Sequence, residues 1–518
     1  MSQQIFDSVK YSKPGRSTFD LSHDVKMSMK FGKLYPIMCE DVAPGDNFKI
    51  GCESLIRFAP LISPVMHRID ATMHYFFVPK RLLWENFMKW YKGEKDPLTN
   101  LPYVHPFLAI NHDGTNYLPL MDYMGVPDPD LNSSDTGSTN ISPMAFAAYQ
   151  FIYNEYYRDQ NLTDPIDYKL DDGNNTANVE LYELRTRAWM HDYFTSCLPF
   201  AQKGDPVNLP VDGDVVLNMD NVGTALVGVS AADFTTPFGA SSVNTNAGGN
   251  IIHGSGNEEV FDPNYTGLGS VWKVENANAT INDLRIAMRV QEWLEKSARG
   301  GTRDNEFIRV QFGVKTSDAR LQRPEYITGI KTAVTISEVL NTTGTVDAPQ
   351  GQMAGHGVSV VNGNYGSYYA EEPGYIIGIM NIQPKTAYYQ GMPKHFLKIT
   401  DPTENLFPVF GNLGEQSVER REVYAYTDEG LQTFGYIPRY SEYKYSNNRV
   451  AGDFKTTLNF WHMAREFSFQ PSLNTSFIEC NATTRIFAVE DGTDYLWTHV
   501  YNKVKASRLL PFYGTPTF

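Results

Sequence analysis

The stretch that most limits what this chain can fold into is Phe48–Phe58, FKIGCESLIRF. Phe48, Ile50, Cys52, Ile56 and Phe58 fall on one side of an extended backbone, with Lys49, Glu53 and Arg57 among the residues opposite. That is the pattern of a half-buried strand. Pro44-Gly45-Asp46 just before it is a turn signal, which predicts a hairpin with the Leu34–Val42 run. Ala71–Val78, ATMHYFFV, is a second aromatic strand bounded by Pro79, and Tyr375–Met380, YIIGIM, reads as a buried one. Three strands with short turns ahead of any strong helix favour a sandwich or barrel over alternating βαβ units. The 40 glycines and 30 prolines among 518 residues agree, pointing away from a helical bundle.

Helices follow. Ser142-Pro143 is a cap with a favourable first helical residue, introducing PMAFAAYQFIYNEYYRD, and a further helix is expected over Val179–Phe194. Tyr149, Phe151, Tyr153, Tyr156 and Tyr157 read as packing this insertion onto the sandwich rather than stacking on a ligand. Thr280 with Asp283 three residues on suits a capping box at the positive end of a helix dipole. Ile286, Val290, Trp293 and Leu294 then give one apolar face, which predicts a helix buried along that stripe and stopped by Gly300-Gly301. Beyond it, Glu306–Val314 roughly alternates and reads as a strand, followed by Arg320, Arg323 and the Pro324 break.

This helix, double glycine and Arg-rich segment resemble the major capsid protein of the microviruses, small icosahedral single-stranded DNA phages, and especially its gokushovirus-like branch. The resemblance extends, in the family's order, to FDLSHDVK (19–26), APGDNF (43–48), YFFVPKRLLW (75–84), YFTSCLPFAQKG (193–204), GEQSVERREVY (414–424), FGYIPRYSEYKY (434–445), WHMAREF (461–467) and LLPFYGTP (509–516). It implies a mainly β fold, an eight-stranded antiparallel viral jelly roll with long loop insertions containing several helices. The implied organisation is an extended basic arm over residues 1–33 and a single capsid domain over 34–518. The implied role is a homo-oligomeric icosahedral shell, assembled in the bacterial host cytoplasm around a circular single-stranded DNA genome.

Charge refines that expectation. A net charge of −15 argues against a protein that coats DNA with its whole surface, so nucleic-acid contacts must be local. The candidates are Lys10, Lys13, Arg16, Lys26, Lys30 and Lys33, which read either as an inward arm near the genome or as an arm packed on a neighbouring subunit. A second set, Arg439, Lys444 and Arg449, interleaves with tyrosines and suits either stacking on single-stranded DNA or a protein interface. Arg299, Arg303, Arg309, Arg320 and Arg323 read as ion-pair and interface groups, joined by Tyr440, Tyr443, Phe512 and Tyr513 as subunit-contact candidates. Acidic total charge, together with the resemblance, implies a small basic DNA-binding virion protein as partner.

Residues 205–280 differ in composition, with nine acidic residues, one base (Lys273) and a Gly/Asn/Ser/Ala-rich centre. A long loop without strong periodicity is usually functional or disordered. In the resembling capsids an insertion at the corresponding place builds surface protrusions, so Asn244, Asn246, Asn250, His253, Glu258 and Glu259 become candidates to face a host receptor. Residues 341–374 form a second Gly-rich, mobile loop by the same reading.

Catalytic signatures are absent: there is no H-E-x-x-H pair, P-loop, dinucleotide fingerprint or G-x-S-x-G elbow. Asp128, Asp130, Asn132 and Ser134 partly mimic a calcium loop, but Ser133 stands where glycine is needed and Thr139 where glutamate is, so no metal site is assigned. Glu371-Glu372 point to opposite faces of an extended chain and make no acid/base pair. Cys39, Cys52, Cys197 and Cys480 are widely spaced and read as buried free thiols. No cofactor is expected. The opening MSQQIFDSVKYSKPGRS lacks an apolar signal core, and no apolar run reaches bilayer length, so no membrane insertion is expected. A jelly-roll carbohydrate-binding module or lectin, and behind it a glycoside hydrolase, are the rival readings.

Overall fold

The computed structural model describes residues 15–513 apart from 112–113, 115, 130–136, 208–213, 219–226, 229–243, 246–250, 253–259, 262–270, 276–279, 341–352, 364 and 490–491. Two compact units divide the chain, one comprising residues 1–203 and 295–518, the other 204–294.

Among the described residues, the larger unit is built around two main antiparallel sheets of seven and four strands, with two further two-stranded pairs. The strands of the main sheets are β1 (Ser17–Asp20), β2 (His23–Met29), β3 (Tyr35–Val42), β4 (Asn47–Phe58), β5 (Ile69–Pro79), β6 (Glu325–Ala333), β7 (Thr335–Leu340), β8 (Met353–Asn362), β9 (Gly366–Tyr369), β10 (Gly374–Pro384) and β11 (Leu496–Arg508). The seven-stranded sheet runs β1-β11-β4-β8-β7, with β2 also on β11 and β9 also on β4; the four-stranded sheet runs β6-β5-β10-β3. This mainly β, antiparallel architecture is consistent with the expected jelly roll.

The alternation in β4 does what it predicts. Phe48, Ile50, Cys52, Ile56 and Phe58 are all buried, and Lys49 and Arg57 are exposed. They share one core with Ile37, Met73, Tyr75, Phe77, Ile376 and Met380 of the smaller sheet, so the two sheets face each other. The smaller sheet's other face, through Phe76, Val78, Ile377 and Ile379, packs on the helix α1 (Met144–Ile152) and its surroundings. Burial on both faces explains why β5 and β10 read as nearly continuous apolar runs. Among the expected packing tyrosines, Tyr149 is buried and donates to the Leu34 carbonyl at 2.8 Å, and Tyr156 donates to that of Pro324 at 2.7 Å.

Several local expectations are corrected. β3 and β4 form no hairpin: β3 pairs with β10 and β4 with β11, β8 and β9. The Pro44-Gly45-Asp46 turn instead carries the chain from one sheet to the other, with Gly45 at φ +89° and the Asp46 carboxylate accepting from the Ala43 N–H at 3.0 Å. Residues 304–312 are a helix, not a strand: the Glu306 side chain accepts from the Arg303 N–H, and Gly313 at φ +71° ends it. The helix expected over 179–194 is only a 3₁₀ turn, Val179–Tyr182. Residues 17–29, within the expected arm, pair with β11 as β1 and β2. The expected mobile loop at 341–374 contains β8 and β9. Glycine in β8 serves close approach: a Cβ at Gly355 would lie 2.3 Å from the Ser63 carbonyl oxygen, and one at Gly357 2.8 Å from the Phe58 ring. Cys52, Cys197 and Cys480 are buried free thiols, whereas Cys39 is an exposed one.

The smaller unit contains three nested antiparallel pairs. Asp214–Asn218 pairs with Val271–Glu275, Val227–Gly228 with Val260–Phe261, and Asn244–Thr245 with Ile251–Ile252. Among the described residues, the innermost of these pairs in sequence is Asn244–Thr245 with Ile251–Ile252. A helix α2 (Ile281–Arg299) follows, opened as expected: the Asp283 N–H donates to Thr280 Oγ1 at 3.1 Å, and the Thr280 N–H to Asp283 Oδ2 at 3.0 Å. Its apolar stripe is not buried as expected. Ile286, Val290 and Trp293 are exposed, and Ala287, Ser297 and Ala298 are the buried positions.

Candidate assembly interface

A capsid-like reading requires surfaces rather than a cleft with reacting groups, and the partners each candidate side chain already has decide whether it is free to meet another chain. Three of the five arginines hold the subunit together. Arg299, in the last turn of α2, forks onto the Glu415 carboxylate (Nε at 3.1 Å) and reaches the Ser196 carbonyl. Arg303 sits before the helix α3 (Asp304–Phe312), donating to Glu306 at 3.2 Å and to the Arg158 carbonyl at 2.9 Å. Arg323 is buried between Glu155 and Asp318, at 3.6 and 3.5 Å, with its guanidinium 4.6 Å from the centre of the Tyr156 ring. Arg309 and Arg320 are exposed and remain open to other chains.

The tyrosines divide the same way. Tyr440 is buried, takes up a left-handed backbone at φ +62°, and donates to the Thr403 carbonyl at 3.0 Å. Tyr443 is exposed, with the Lys398 ammonium 4.0 Å from its ring centre. Phe512 and Tyr513 are exposed at the end of the described chain, Phe512 stacking on Phe19 with ring centres 5.7 Å apart.

The described basic candidates differ in what they touch. Arg16 is tied to the Gly45 and Ser507 carbonyls at 2.7 and 3.0 Å. Lys26 is exposed on β2, and Lys30 pairs with Asp494 at 3.6 Å. Lys33 is half-buried, and that burial pushes its ammonium pKa down. Arg439 donates to the Thr403 carbonyl, Lys444 reaches the Arg439 carbonyl at 3.3 Å, and Arg449 is exposed. Lys10 and Lys13 lie outside the described residues, as do Asn246, Asn250, His253, Glu258 and Glu259; Asn244 is described only as part of its two-residue strand.

Sequence reasoning missed one surface. Phe396, Ile399, Leu406, Phe407, Val409 and Leu413 are all exposed along a stretch of short 3₁₀ turns running from Lys394 to the cap residue Leu413. The signal was present as NLFPVFGNL, an apolar run broken by proline and glycine with neither helical nor strand period. With the exposed stripe of α2, it leaves more large apolar side chains in water than scattered surface residues account for. Among the described residues, no cluster suited to a metal ion occurs, and no helix is long and apolar enough to cross a membrane.

Comparison with known proteins gives these surfaces a context. The family model described as "Capsid protein (F protein)" matches residues 7–518. The capsid protein VP1 of Bdellovibrio phage phiMH2K is 34% identical over 93% of this chain and 91% of its own length. VP1 of Chlamydia phage 1 is 30% identical over 97% and 95%, and VP1 of Spiroplasma virus 4 is 29% identical over 97% and 95%. With its antiparallel β architecture and its end-to-end match, this chain belongs to the microvirus capsid protein (F protein) family.

Proposed function

We propose that this chain is the major capsid protein of a small phage, assembling with copies of itself into a closed icosahedral shell around a circular single-stranded DNA genome. The observation that carries this reading is the contrast between complete interior cores and large apolar groups left outside. Phe58, Tyr75 and Phe487 are essentially fully buried, while Ile399 and Val409 are more than four-fifths exposed. Burying such groups between copies is worth about 25 cal/mol per Å² of apolar surface, enough over many contacts to drive closed assembly. The work done is association, with no catalytic turnover.

The three nested antiparallel pairs among the described residues of 214–275 support a second element of the proposal, that the insertion forms a host-facing protrusion. Asn246, Asn250, His253, Glu258 and Glu259, which lie in this insertion outside the described residues, are the proposed receptor-facing set. Lys10, Lys13 and Arg16 face the packaged DNA, aided by a small basic virion protein that offsets the subunit's acidic charge. Assembly occurs in the bacterial host cytoplasm. The test is biochemical: sedimenting particles treated with nuclease should retain circular single-stranded DNA, and neutralising Lys10, Lys13 and Arg16 should lower the amount retained. Particles holding no protected DNA contradict the packaging role.

A further inference from the structure

A cleft of about 780 Å³ opens in the larger unit between the chain around Tyr388–Lys398 and the loop Tyr443–Lys455. The two walls are fastened by backbone and side-chain amides: the Tyr388 N–H donates to the Asn448 carbonyl at 3.0 Å, and Asn448 Nδ2 to the Thr386 carbonyl at 2.9 Å. Its carboxylates are already satisfied. Glu422, buried in the floor, accepts from Tyr193 Oη and Lys394 Nζ, each at 3.0 Å. Glu442 accepts from Lys398 Nζ at 2.6 Å and Gln416 Nε2 at 2.8 Å.

Two cations on the lining have no such partner. Among the described residues neither Arg449 nor Lys455 takes part in an ion pair, and both are exposed. Beside them the lining presents apolar ring surface: Phe396 is 63% exposed with the His395 ring centre 4.0 Å from its own, and Tyr445 is 42% exposed with no ring or cation contact among the described residues. The lining as a whole carries four lysine or arginine side chains, Lys394, Lys398, Arg449 and Lys455, against two carboxylates, in a chain whose net charge is −15. Exposed ring surface, with the open face of Tyr445 beside uncompensated cations, is the chemistry that takes unpaired bases and their phosphates. A concave volume of this size suits a ligand of a few nucleotide units rather than a flat protein contact.

We propose that this cleft binds a short run of single-stranded DNA, with Tyr445 and Phe396 stacking on bases and Arg449 and Lys455 neutralising phosphates. The proposal rests on the reading that the shell encloses such a genome, and it makes the Tyr443–Lys455 loop a point where the otherwise acidic subunit holds the strand.

The test is a fluorescence-anisotropy titration of the full-length unassembled chain with a labelled oligodeoxythymidylate over a range of salt. Arg449→Ala with Lys455→Ala should reduce the slope of log K against log salt by about 1.4, at ~0.7 for each phosphate that is no longer neutralised. Tyr445→Ala should weaken binding about tenfold, as loss of one stack, and Tyr445→Phe should restore it because the ring face is kept. Tyr445 is half-exposed, so these variants retain the fold, which circular dichroism verifies. Unchanged affinity and salt slope in the variants overturn the proposal. So does unchanged oligonucleotide binding with lost particle formation, which would make the cleft a contact between copies. Failure of the enclosing-shell reading is seen separately, as wild-type chain that forms no particles, and the titration does not depend on it.

Discussion

Tyr75 donates its buried hydroxyl to Asn502 Oδ1 at 3.0 Å, joining β5 of the smaller sheet to β11 of the larger. The same Asn502 sends its Nδ2 to the Ile37 carbonyl of β3 at 2.7 Å, so one fully buried amide ties three strands across the sandwich. Polar groups this deep survive because each is paired, and losing one partner strands the others. Asn502→Ala is expected to destabilise the unassembled chain by about 3 kcal/mol, from two orphaned buried groups at ~1–3 kcal/mol each. Denaturant unfolding checks this, and a change below about 0.5 kcal/mol would mean the amide is dispensable.

Trp293 tests the role of α2. Its ring is 48% exposed on the isolated chain, so Trp293→Ala should change unfolding stability by no more than about 0.5 kcal/mol while lowering the yield of assembled particles. A large loss of stability with normal assembly would mean that the stripe is buried within the subunit.

His74 should give the fold an acid-side weakness. Its ring accepts or donates at Nδ1 with Tyr157 Oη, 2.8 Å away, and burial, with Arg187 nearby, lowers its pKa to about 4. The unfolded imidazole takes its proton near the ordinary value of about 6.5, so between there and about 4 the unfolded state binds more protons. Stability is therefore full above that window and falls as pH drops through it, by about 3 kcal/mol in total. His67 and His462 are shifted the same way by burial, so His74→Gln should flatten only part of the slope. Urea midpoints measured across this pH range decide it; an identical slope in the variant removes His74 from the account.

The insertion of residues 205–280 is expected to be separable from shell building. Removing residues 215–269 should leave particles that form but adsorb poorly to host cells. Correctly folded subunits that cannot assemble after the deletion would contradict the protrusion reading.

Strands whose period is set by one buried face are legible from residues alone, as in Phe48–Phe58, and so is the reciprocal Thr280/Asp283 cap. Partner choice is not. Nothing local to Pro44-Gly45-Asp46 distinguishes a hairpin turn from a crossing between sheets, because both need the same left-handed glycine. FIRVQF carries residues that fit either period, and the helix is decided by the Glu306 cap and Gly313 stop at its ends. The Gly-rich stretch around Gly355 and Gly357 reads as mobile because glycine is ambiguous between freedom and close packing. The Arg323 site is visible only as charge; its partners Glu155 and Asp318 come from different parts of the chain. Exposed stripes such as Ile286–Trp293 look like core in a sequence, since an assembly interface obeys the same periodicity as an interior.

Negative-stain imaging of the purified full-length product tests the central claim most directly. Uniform closed particles, hollow or filled, are predicted. A preparation of folded chain that stays as dispersed single subunits would contradict the shell-forming account.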